Sequence, residues 1–314
     1  MAIIECVPNF SEGRRGEVIT AIVDAVRASG PVRVLDLSSD ADHHRSVLTF
    51  AGDAAAVRAA IEALVAACVE RIDLRTHQGR HPRMGAIDVI PLIPVRGVTM
   101  VECVALAREV GQTIAKRHSL PVYLYEEAAT NEARRNLAEI RKGEFESFAE
   151  KMKDPRFKPD FGPDRPHPSA GCVAVGAREF LIAFNINLAT DDLEIARAIA
   201  RVIRHSSGGL RYVKAMGVLL EERRQAQVSI NMTNFRGTPL HRVFEMVRSE
   251  AERYGVEVAG SEIVGLVPED ALIDAAAFYL RLEGFDPSKV LERRLAEEPE
   301  APAGPAGRPP DGGR

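Results

Sequence analysis

Hydrophobic residues recur along the first third of the chain with two periods, one typical of strands and one typical of helices. Together they predict four strands and two helices in the order βαββαβ. The predicted segments are Ile3–Val7, Glu17–Ala28, Val32–Leu37, Ser46–Ala51, Asp53–Ile72 and Ala86–Val95. The polar residues Ser38–His44 are expected to form the turn between the second and third strands.

The same order returns in the second half of the chain. The predicted segments are Leu181–Leu188, Asp192–Arg204, Tyr212–Leu220, Ala226–Thr233, a helix from Thr238-Pro239 to Tyr254, and Val256–Val264, with a further helix over Glu269–Leu280. Thr190 and Thr238 are expected to cap two of the helices, and Pro239 is expected at the first helical position. Two βαββαβ units predict an α/β (α+β) fold with two ferredoxin-like subdomains packed together.

The region between the two units has a less regular pattern. It predicts a helix near Met100–Arg117, a strand over Val122–Tyr125, polar helices near Asn131–Arg141 and Glu144–Lys151, and a loop from Lys153 to Gly171. The final segment, Glu297–Arg314, has five Pro and four Gly in 18 residues and almost no apolar bulk. Such a segment cannot bury enough apolar surface to fold, so we expect residues 297–314 to be disordered.

Composition excludes several classes of protein. The 314 residues are 46% hydrophobic, as in ordinary globular proteins, and contain no apolar run long enough to span a bilayer. The net charge of −4 argues against general nucleic-acid binding. The four cysteines, Cys6, Cys68, Cys103 and Cys172, are far apart and show neither metal spacing nor a disulfide pattern. We therefore expect a cytoplasmic protein with no membrane or nucleic-acid partner.

The strongest candidate for chemistry is the segment His77–Met84, which places two histidines and two arginines within eight residues. Gly79 and Pro82 prevent a regular helix there, and an apolar strand follows directly. A basic, histidine-bearing loop on a rigid strand suits general acid/base chemistry on an anionic substrate. The alternative is a solvated basic loop with one histidine satisfied by the backbone. No acidic third ligand lies at a recognisable spacing, so we expect no metal.

Several blocks of the chain, in order and spanning nearly all of residues 3–280, resemble the formiminotransferase domain family, which includes glutamate formimidoyltransferase and formimidoyltransferase-cyclodeaminase. The blocks are Glu5–Gly13, His81–Ala86 with Asp88, Ile93–Met100, Pro121–Tyr125, Asp160–Pro163, Ala183–Leu188 and Val264–Pro268. The resemblance implies transfer of a formimidoyl group from N-formimino-L-glutamate to N5 of tetrahydrofolate, in histidine degradation. It also implies a homodimer and a ligand channel between an N-terminal subdomain, residues 1–180, and a C-terminal subdomain, residues 181–296.

The resemblance also assigns residues. It places the catalytic histidine at His81, with tetrahydrofolate as co-substrate. It implies folate contacts from one segment, made of Gly162, Pro163, Asp164, Arg165, Pro166, His167, Pro168, Ser169, Ala170 and Gly171. The family has a carboxylate in the turn before the third strand. This chain has Ser38 at the aligned position, so Asp40 and Asp42 are candidates for that role. Asn9 lies in a matching block and is a candidate substrate contact.

Three further contacts follow from residue chemistry. Arg83 lies two residues from His81 across a stiff proline and can grip a carboxylate at two points, unless it pairs with Asp88 or another acid and supports the loop. Asn185 and Asn187 alternate with apolar residues, and neutral amides suit either a pterin's donors and acceptors or a solvent-facing sheet.

Three alternative functions remain open from the sequence. One is formyl transfer to glutamate from 5-formyltetrahydrofolate. Another is a folate-binding protein without turnover. The third is a metal-dependent hydrolase, which a metal analysis of the purified protein would test.

Overall fold

The computed structural model describes residues 2–296 and has a mixed α/β architecture with two separate sheets, consistent with the α+β class. The segment expected to be disordered, residues 297–314, lies outside the described residues. The chain divides into two units. Of the described residues, one unit contains 2–183 together with Ile263–Leu266, and the other contains Phe184–Glu262 and 267–296. Within residues 2–296, no helix has both the length and the apolar character needed to cross a bilayer.

A seven-stranded sheet forms the centre of the first unit. Its strands are β1 (Ile3–Cys6), β2 (Asn9–Phe10), β3 (Arg33–Asp40), β4 (Arg45–Gly52), β5 (Ile87–Arg96), β6 (Val122–Glu126) and β7 (Val173–Ala177). β1 and β2 follow one another between β4 and β5 and run antiparallel to both. β3 pairs antiparallel with β4, whereas β5, β7 and β6 are mutually parallel neighbours. This arrangement brings β5, the strand that follows the histidine loop, to the middle of the sheet.

The first unit also contains helices, and some of them begin at side-chain caps. They are α1 (Gly16–Ala28), α2 (Ala54–Arg71), α3 (Met100–His118), α4 (Leu137–Arg141) and α5 (Glu144–Lys151). The Asp53 side chain accepts the Ala56 N–H at the start of α2, and Thr99 and Glu102 form a reciprocal capping box at the start of α3. Apolar residues of α1, α2 and α3 are buried in one continuous core with the sheet.

Most residues of a four-stranded sheet with the order β11-β8-β10-β9 belong to the second unit. Its strands are β8 (Ile182–Leu188), β9 (Val213–Leu220), β10 (Gln225–Met232) and β11 (Val258–Val264), and the helices of the second unit are α6 (Leu193–Ile203), α7 (Leu240–Glu252), α8 (Glu269–Leu280) and α9 (Leu291–Ala296). Burial alternates along β8, and the apolar residues of β10 are buried together with Gln227, while α6 contacts β9 and β10. Apolar and polar residues alternate along both strands, so each strand has an apolar face and a polar face.

The sequence missed two strands of the first unit, the two-residue strand β2 and the strand β7. β7 is fully buried and lies between β5 and β6. Its signal was the short apolar run between Gly171 and Arg178, which has no period because both faces of the strand are covered. The sequence also missed α9 and predicted one helix near Asn131–Arg141, where the structure has a 3-10 turn followed by α4.

Three local predictions were wrong for identifiable reasons. β3 continues to Asp40 because Ser38, Ser39 and Asp40 pair with β4, so the turn is shorter than expected. Asp192, rather than Thr190, caps α6, since its carboxylate accepts the Glu194 N–H. Pro239 is the N-cap residue of α7 and lacks a side-chain cap. The Thr238 hydroxyl instead donates to the Arg211 carbonyl.

Candidate active site

The loop between α2 and β5 is packed tightly against the turn between β3 and β4. A side chain at Gly79 would place its Cβ 2.4 Å from the His43 carbonyl oxygen, so only glycine fits there. The Arg80 N–H donates to the Asp42 carbonyl. The rings of His44 and His77 stack with centroids 4.1 Å apart. The loop is therefore shaped by the neighbouring turn, and His77 and His81 are both buried rather than solvated.

His77 has a structural set of contacts. Its Nε2 lies 2.9 Å from the His44 carbonyl oxygen, and its Nδ1 accepts a hydrogen bond from Arg83 Nε at 3.2 Å. Because the guanidinium can only donate, Nδ1 is the acceptor and the proton of His77 is on Nε2. Burial lowers the pKa of His77 from its ordinary value. His77 thus fits the description of a histidine satisfied by the backbone, whereas His81 does not.

His81 lies between two arginines and a carboxylate. Its Nδ1 is 3.4 Å from Arg45 Nη1, and its Nε2 is 3.7 Å from Asp88 Oδ2. Since Arg45 can only donate, Nδ1 presents its lone pair and Nε2 carries the proton, directed toward Asp88. Arg141 forms an ion pair with the same Asp88 oxygen. We call His81, Asp88, Arg45 and Arg141 the His81 cluster.

The His81 ring is held in its neutral form. Burial lowers the pKa of His81 from its ordinary value, Asp88 opposes that shift, and the charges of Arg45 and Arg141 reinforce it. A neutral, buried imidazole with an unprotonated ring nitrogen can accept a proton near neutral pH. The distance of 3.7 Å is too long for a hydrogen bond, and His81 Nε2 has no hydrogen-bond partner among the described residues.

Asp88 is the acidic partner nearest to His81. It is 1% exposed and lies in β5, where Oδ1 accepts the Met84 N–H at 2.8 Å. Burial alone would raise the pKa of Asp88, but Arg141, His81 and the Met84 N–H together lower it, so the group is a carboxylate. From the sequence, Asp88 belonged to a matching block and was a possible partner of Arg83, but it was not predicted as the partner of His81. The overlooked signal was a carboxylate inside an otherwise apolar strand, which must find a cation.

Asp40 and Asp42 are placed in the turn and not at the His81 ring. The Asp40 carboxylate accepts the N–H groups of Asp42 and His43 and lies 2.9 Å from His43 Nδ1. Asp42 is exposed, and its carbonyl accepts from Arg80. Neither side chain hydrogen-bonds to His81. These contacts shape the turn, and a substrate contact from either residue stays a prediction.

Arg83 is buried and pairs with acids of α5. Its guanidinium donates to Glu144 Oε2 at 2.8 Å and to both carboxylate oxygens of Glu146 at 2.6 and 3.1 Å. It also donates to the His77 ring and the His77 carbonyl. A pocket of about 390 Å³ opens beside this network. These contacts favour a structural role for Arg83 in the loop, and its acidic partners are Glu144 and Glu146 rather than Asp88. A substrate contact from Arg83 stays a prediction.

The end of the segment Gly162–Gly171 borders the histidine loop. Ala86 N–H donates to the Ala170 carbonyl and Cys172 N–H to the Met84 carbonyl, both at 2.9 Å. Gly171 has φ +67°, and a Cβ there would lie 2.2 Å from the Met84 oxygen. The structure thus brings this segment next to the loop that carries His81. Its proposed contact with folate stays a prediction.

The three candidate asparagines lie apart along the chain. Asn9 is in β2 and donates to the Val7 carbonyl at 3.2 Å. Asn185 and Asn187 are on the polar face of the second unit's sheet, where Asn185 donates to Glu262 and Asn187 accepts from Gln227. Gln227 also donates to Glu262 at 3.0 Å. The face is an amide–carboxylate network, and its use by a substrate stays a prediction.

A metal centre finds no support in the geometry. Among residues 2–296, no three or more histidine, cysteine, aspartate or glutamate side chains are grouped so that they could hold a metal ion. The four cysteines are buried and free. The arrangement around His81 suits proton transfer next to an anionic group, because a neutral base lies between two guanidinium groups.

Two family models match most of the described residues. The model of the formiminotransferase domain, N-terminal subdomain, matches residues 3–178, and that of the formiminotransferase domain matches residues 183–292. The chain is 49% identical to Glutamate formimidoyltransferase of Streptococcus pyogenes serotype M1, over 93% of this chain and 98% of that protein. It is 47% identical to Glutamate formimidoyltransferase of Thermoplasma acidophilum, over 94% of this chain and 98% of that protein.

A longer relative shares the same region. The chain is 46% identical to Formimidoyltransferase-cyclodeaminase of Rattus norvegicus, over 88% of this chain and 52% of that protein. Since two family models and near full-length relatives agree, the chain belongs to the formiminotransferase family.

Proposed function

We propose that this chain is a glutamate formimidoyltransferase. It transfers the formimidoyl group from N-formimino-L-glutamate to N5 of tetrahydrofolate and releases 5-formimidoyltetrahydrofolate and L-glutamate, a step of histidine degradation. The observation that carries the proposal is the 49% identity to a glutamate formimidoyltransferase over 98% of that protein's length. No specific observation favours the three alternatives, which are formyl transfer from 5-formyltetrahydrofolate, folate binding without turnover and metal-dependent hydrolysis.

Catalysis requires one group that first takes and then gives a proton. N5 of the folate attacks the formimino carbon and forms the new C–N bond. His81 Nδ1 accepts the N5 proton, because it carries the lone pair of a neutral ring. The carbon–nitrogen bond to glutamate then breaks, and the imidazolium returns the proton to the departing nitrogen. Neither a covalent enzyme intermediate nor a redox change is needed to balance this reaction.

Asp88 is the residue that orients His81 in this proposal. Its carboxylate lies 3.7 Å from Nε2, so it favours the tautomer that leaves Nδ1 free and stabilises the imidazolium once the proton arrives. Tetrahydrofolate is the co-substrate, and the neighbouring segment Gly162–Gly171 is the proposed site of its contact. The backbone pairing of that segment with Met84 and Ala86 supports this assignment.

The remaining proposals concern the assembly. The strand order β11-β8-β10-β9 in the second sheet supports ferredoxin-like subdomains, since β8, β9, β10 and β11 then follow the βαββαβ arrangement. The proposed subdomains are residues 1–180, with His81, and 181–296. The ligand channel, the homodimer and the cytoplasmic location come from the family resemblance and stay predictions.

One assay tests the proposed function directly. Purified protein is incubated with N-formimino-L-glutamate and tetrahydrofolate, with a chelator in one arm and added divalent metal in another, and both products are measured by mass spectrometry. We expect equal formation of 5-formimidoyltetrahydrofolate and L-glutamate in both arms. Product only with 5-formyltetrahydrofolate as donor, or only with metal, would replace the proposal by one of the alternatives.

A further inference from the structure

The His81 cluster contains more positive than negative charge. Arg45 and Arg141 contribute two guanidinium groups, and Asp88 contributes one carboxylate. His81 contributes no charge, because its ring is neutral. Asp40, the other acid that acts on Arg45, lies at the exposed end of β3 and is already paired with His43. The cluster thus carries an excess of one positive charge.

Neither arginine is fully satisfied by its surroundings. Arg45 forms no ion pair within residues 2–296, and its contact is with the neutral His81 ring at 3.4 Å. Arg141 pairs with Asp88, but its Nε is buried and has no hydrogen-bond partner among the described residues. Burial, then the charge of Arg141, lowers the pKa of Arg45 from its ordinary value. Holding two such groups together costs free energy that an anionic ligand would offset.

We infer that Arg45 and Arg141 form the receptor for the α-carboxylate of the formimino donor. This inference rests on the proposed function. The reacting nitrogen of N-formimino-L-glutamate is attached to the same carbon as its α-carboxylate. Because Arg45 Nη1 is 3.4 Å from His81 Nδ1, a carboxylate held by Arg45 brings that nitrogen within reach of the proton on His81. The arginines thereby place the leaving group, whereas Arg83 is occupied by Glu144 and Glu146.

The experiment compares two donors and three proteins. The donors are N-formimino-L-glutamate and its analogue with an α-carboxamide in place of the α-carboxylate. The proteins are the wild type, Arg45→Gln, and Arg117→Gln as a matched control, since Arg117 is an exposed arginine on α3 paired with Glu62. A charge-assisted hydrogen bond corresponds to about a 10- to 100-fold change in kcat/KM.

We expect Arg45→Gln to lose the ability to distinguish the acid donor from the amide donor. Wild type and Arg117→Gln should prefer the acid donor over the amide by about 10- to 100-fold, and Arg45→Gln should show nearly equal kcat/KM for both. An equal fractional loss on both donors in Arg45→Gln would overturn the inference, because a role through the pKa of His81 or through folding affects both donors alike. Equal use of the two donors by the wild type would also overturn it.

A binding measurement separates this inference from the proposed function. Calorimetry with L-glutamate, the proposed product, requires no turnover. We expect binding by the wild type, at least 10-fold weaker binding by Arg45→Gln, and partial recovery in Arg45→Lys, which keeps the charge. If the wild type makes no product with tetrahydrofolate, the proposed function fails, while loss of glutamate affinity in Arg45→Gln would still support the carboxylate site. Unchanged affinity in that variant would overturn it.

Discussion

A histidine that exchanges a proton in a buried site needs a fixed ring and a nearby countercharge. His81 obtains the first from the packed loop and from Pro82, which restricts the preceding backbone. It obtains the second from Asp88, which is itself held as a carboxylate by Arg141. The central residue could be predicted from the sequence by its type and by the family resemblance. Its partners could not, because Arg45, Asp88 and Arg141 come from three different elements and meet only in the folded chain.

The lowered pKa of His81 has a consequence for the pH dependence of the reaction. The neutral ring is the base, so kcat/KM should fall toward acid with a midpoint below pH 6.5, the ordinary value for histidine. Asp88 favours the charged ring, so Asp88→Asn should move the midpoint to a still lower pH. The pH profiles of wild type and Asp88→Asn are measured with the same substrates, so that ionisation of the substrates affects both profiles equally. A midpoint that moves upward in Asp88→Asn would contradict this electrostatic account.

Arg83→Lys separates loop support from substrate binding. Lysine keeps the charge but cannot reproduce the two-point contact with Glu146, whose carboxylate is well exposed. We expect a loss of about 1 kcal/mol, or roughly 2–4 °C in Tm, with KM for formiminoglutamate unchanged. Arg117→Lys is the matched surface control. A rise in KM with an unchanged Tm would instead assign Arg83 to the substrate.

At the scale of elements, the turn between β3 and β4 and the helix α5 both hold the histidine loop in position. The turn between β3 and β4 contacts the histidine loop through the stacked rings of His44 and His77, and α5 contacts it through Glu144 and Glu146. The spacing of apolar residues predicted most helices and strands well, because most of these elements bury only one face. β7 was missed since a strand covered on both faces has no period, and the wrong caps at Thr190 and Thr238 arose because several adjacent polar residues compete for the same role.

A test at the level of elements uses two glycines. In Gly79→Ala the new Cβ would meet the His43 carbonyl at 2.4 Å, so the loop must move away from the turn. We expect both Tm and turnover to fall, turnover by about 10-fold or more, since misplacement by about 1 Å can cost 100-fold. Gly16→Ala is the control, because nothing lies within 4 Å of its added Cβ. Wild-type turnover in Gly79→Ala would show that the loop position is not critical.

At the scale of the molecule, the order of matching blocks identified the family, and both family models match in that order. Hydrophobic periods predicted two α/β units, and the structure has two sheets in two units. The net charge around His81 could not be predicted from the sequence. It depends on which arginines the fold brings close to His81 and which arginines, like Arg83, are already paired with acids.

The final segment provides a second test at this scale. Residues 297–314 have a composition that cannot contribute to a core. Truncation after Leu295 should therefore leave both kcat/KM and Tm nearly unchanged. The measurement is a thermal melt and an assay on the truncated and full-length chains side by side, and a clear loss in either quantity would show that the segment packs against the rest of the protein.

The most direct test of the account is turnover and folate binding measured on one preparation of His81→Ala. We predict that kcat for formimidoyl transfer falls by about 10²–10⁴-fold, the usual contribution of a general acid/base, while the Kd for tetrahydrofolate changes little. Thermal melts confirm that the variant is folded. Near wild-type turnover in a folded His81→Ala protein would contradict the central claim.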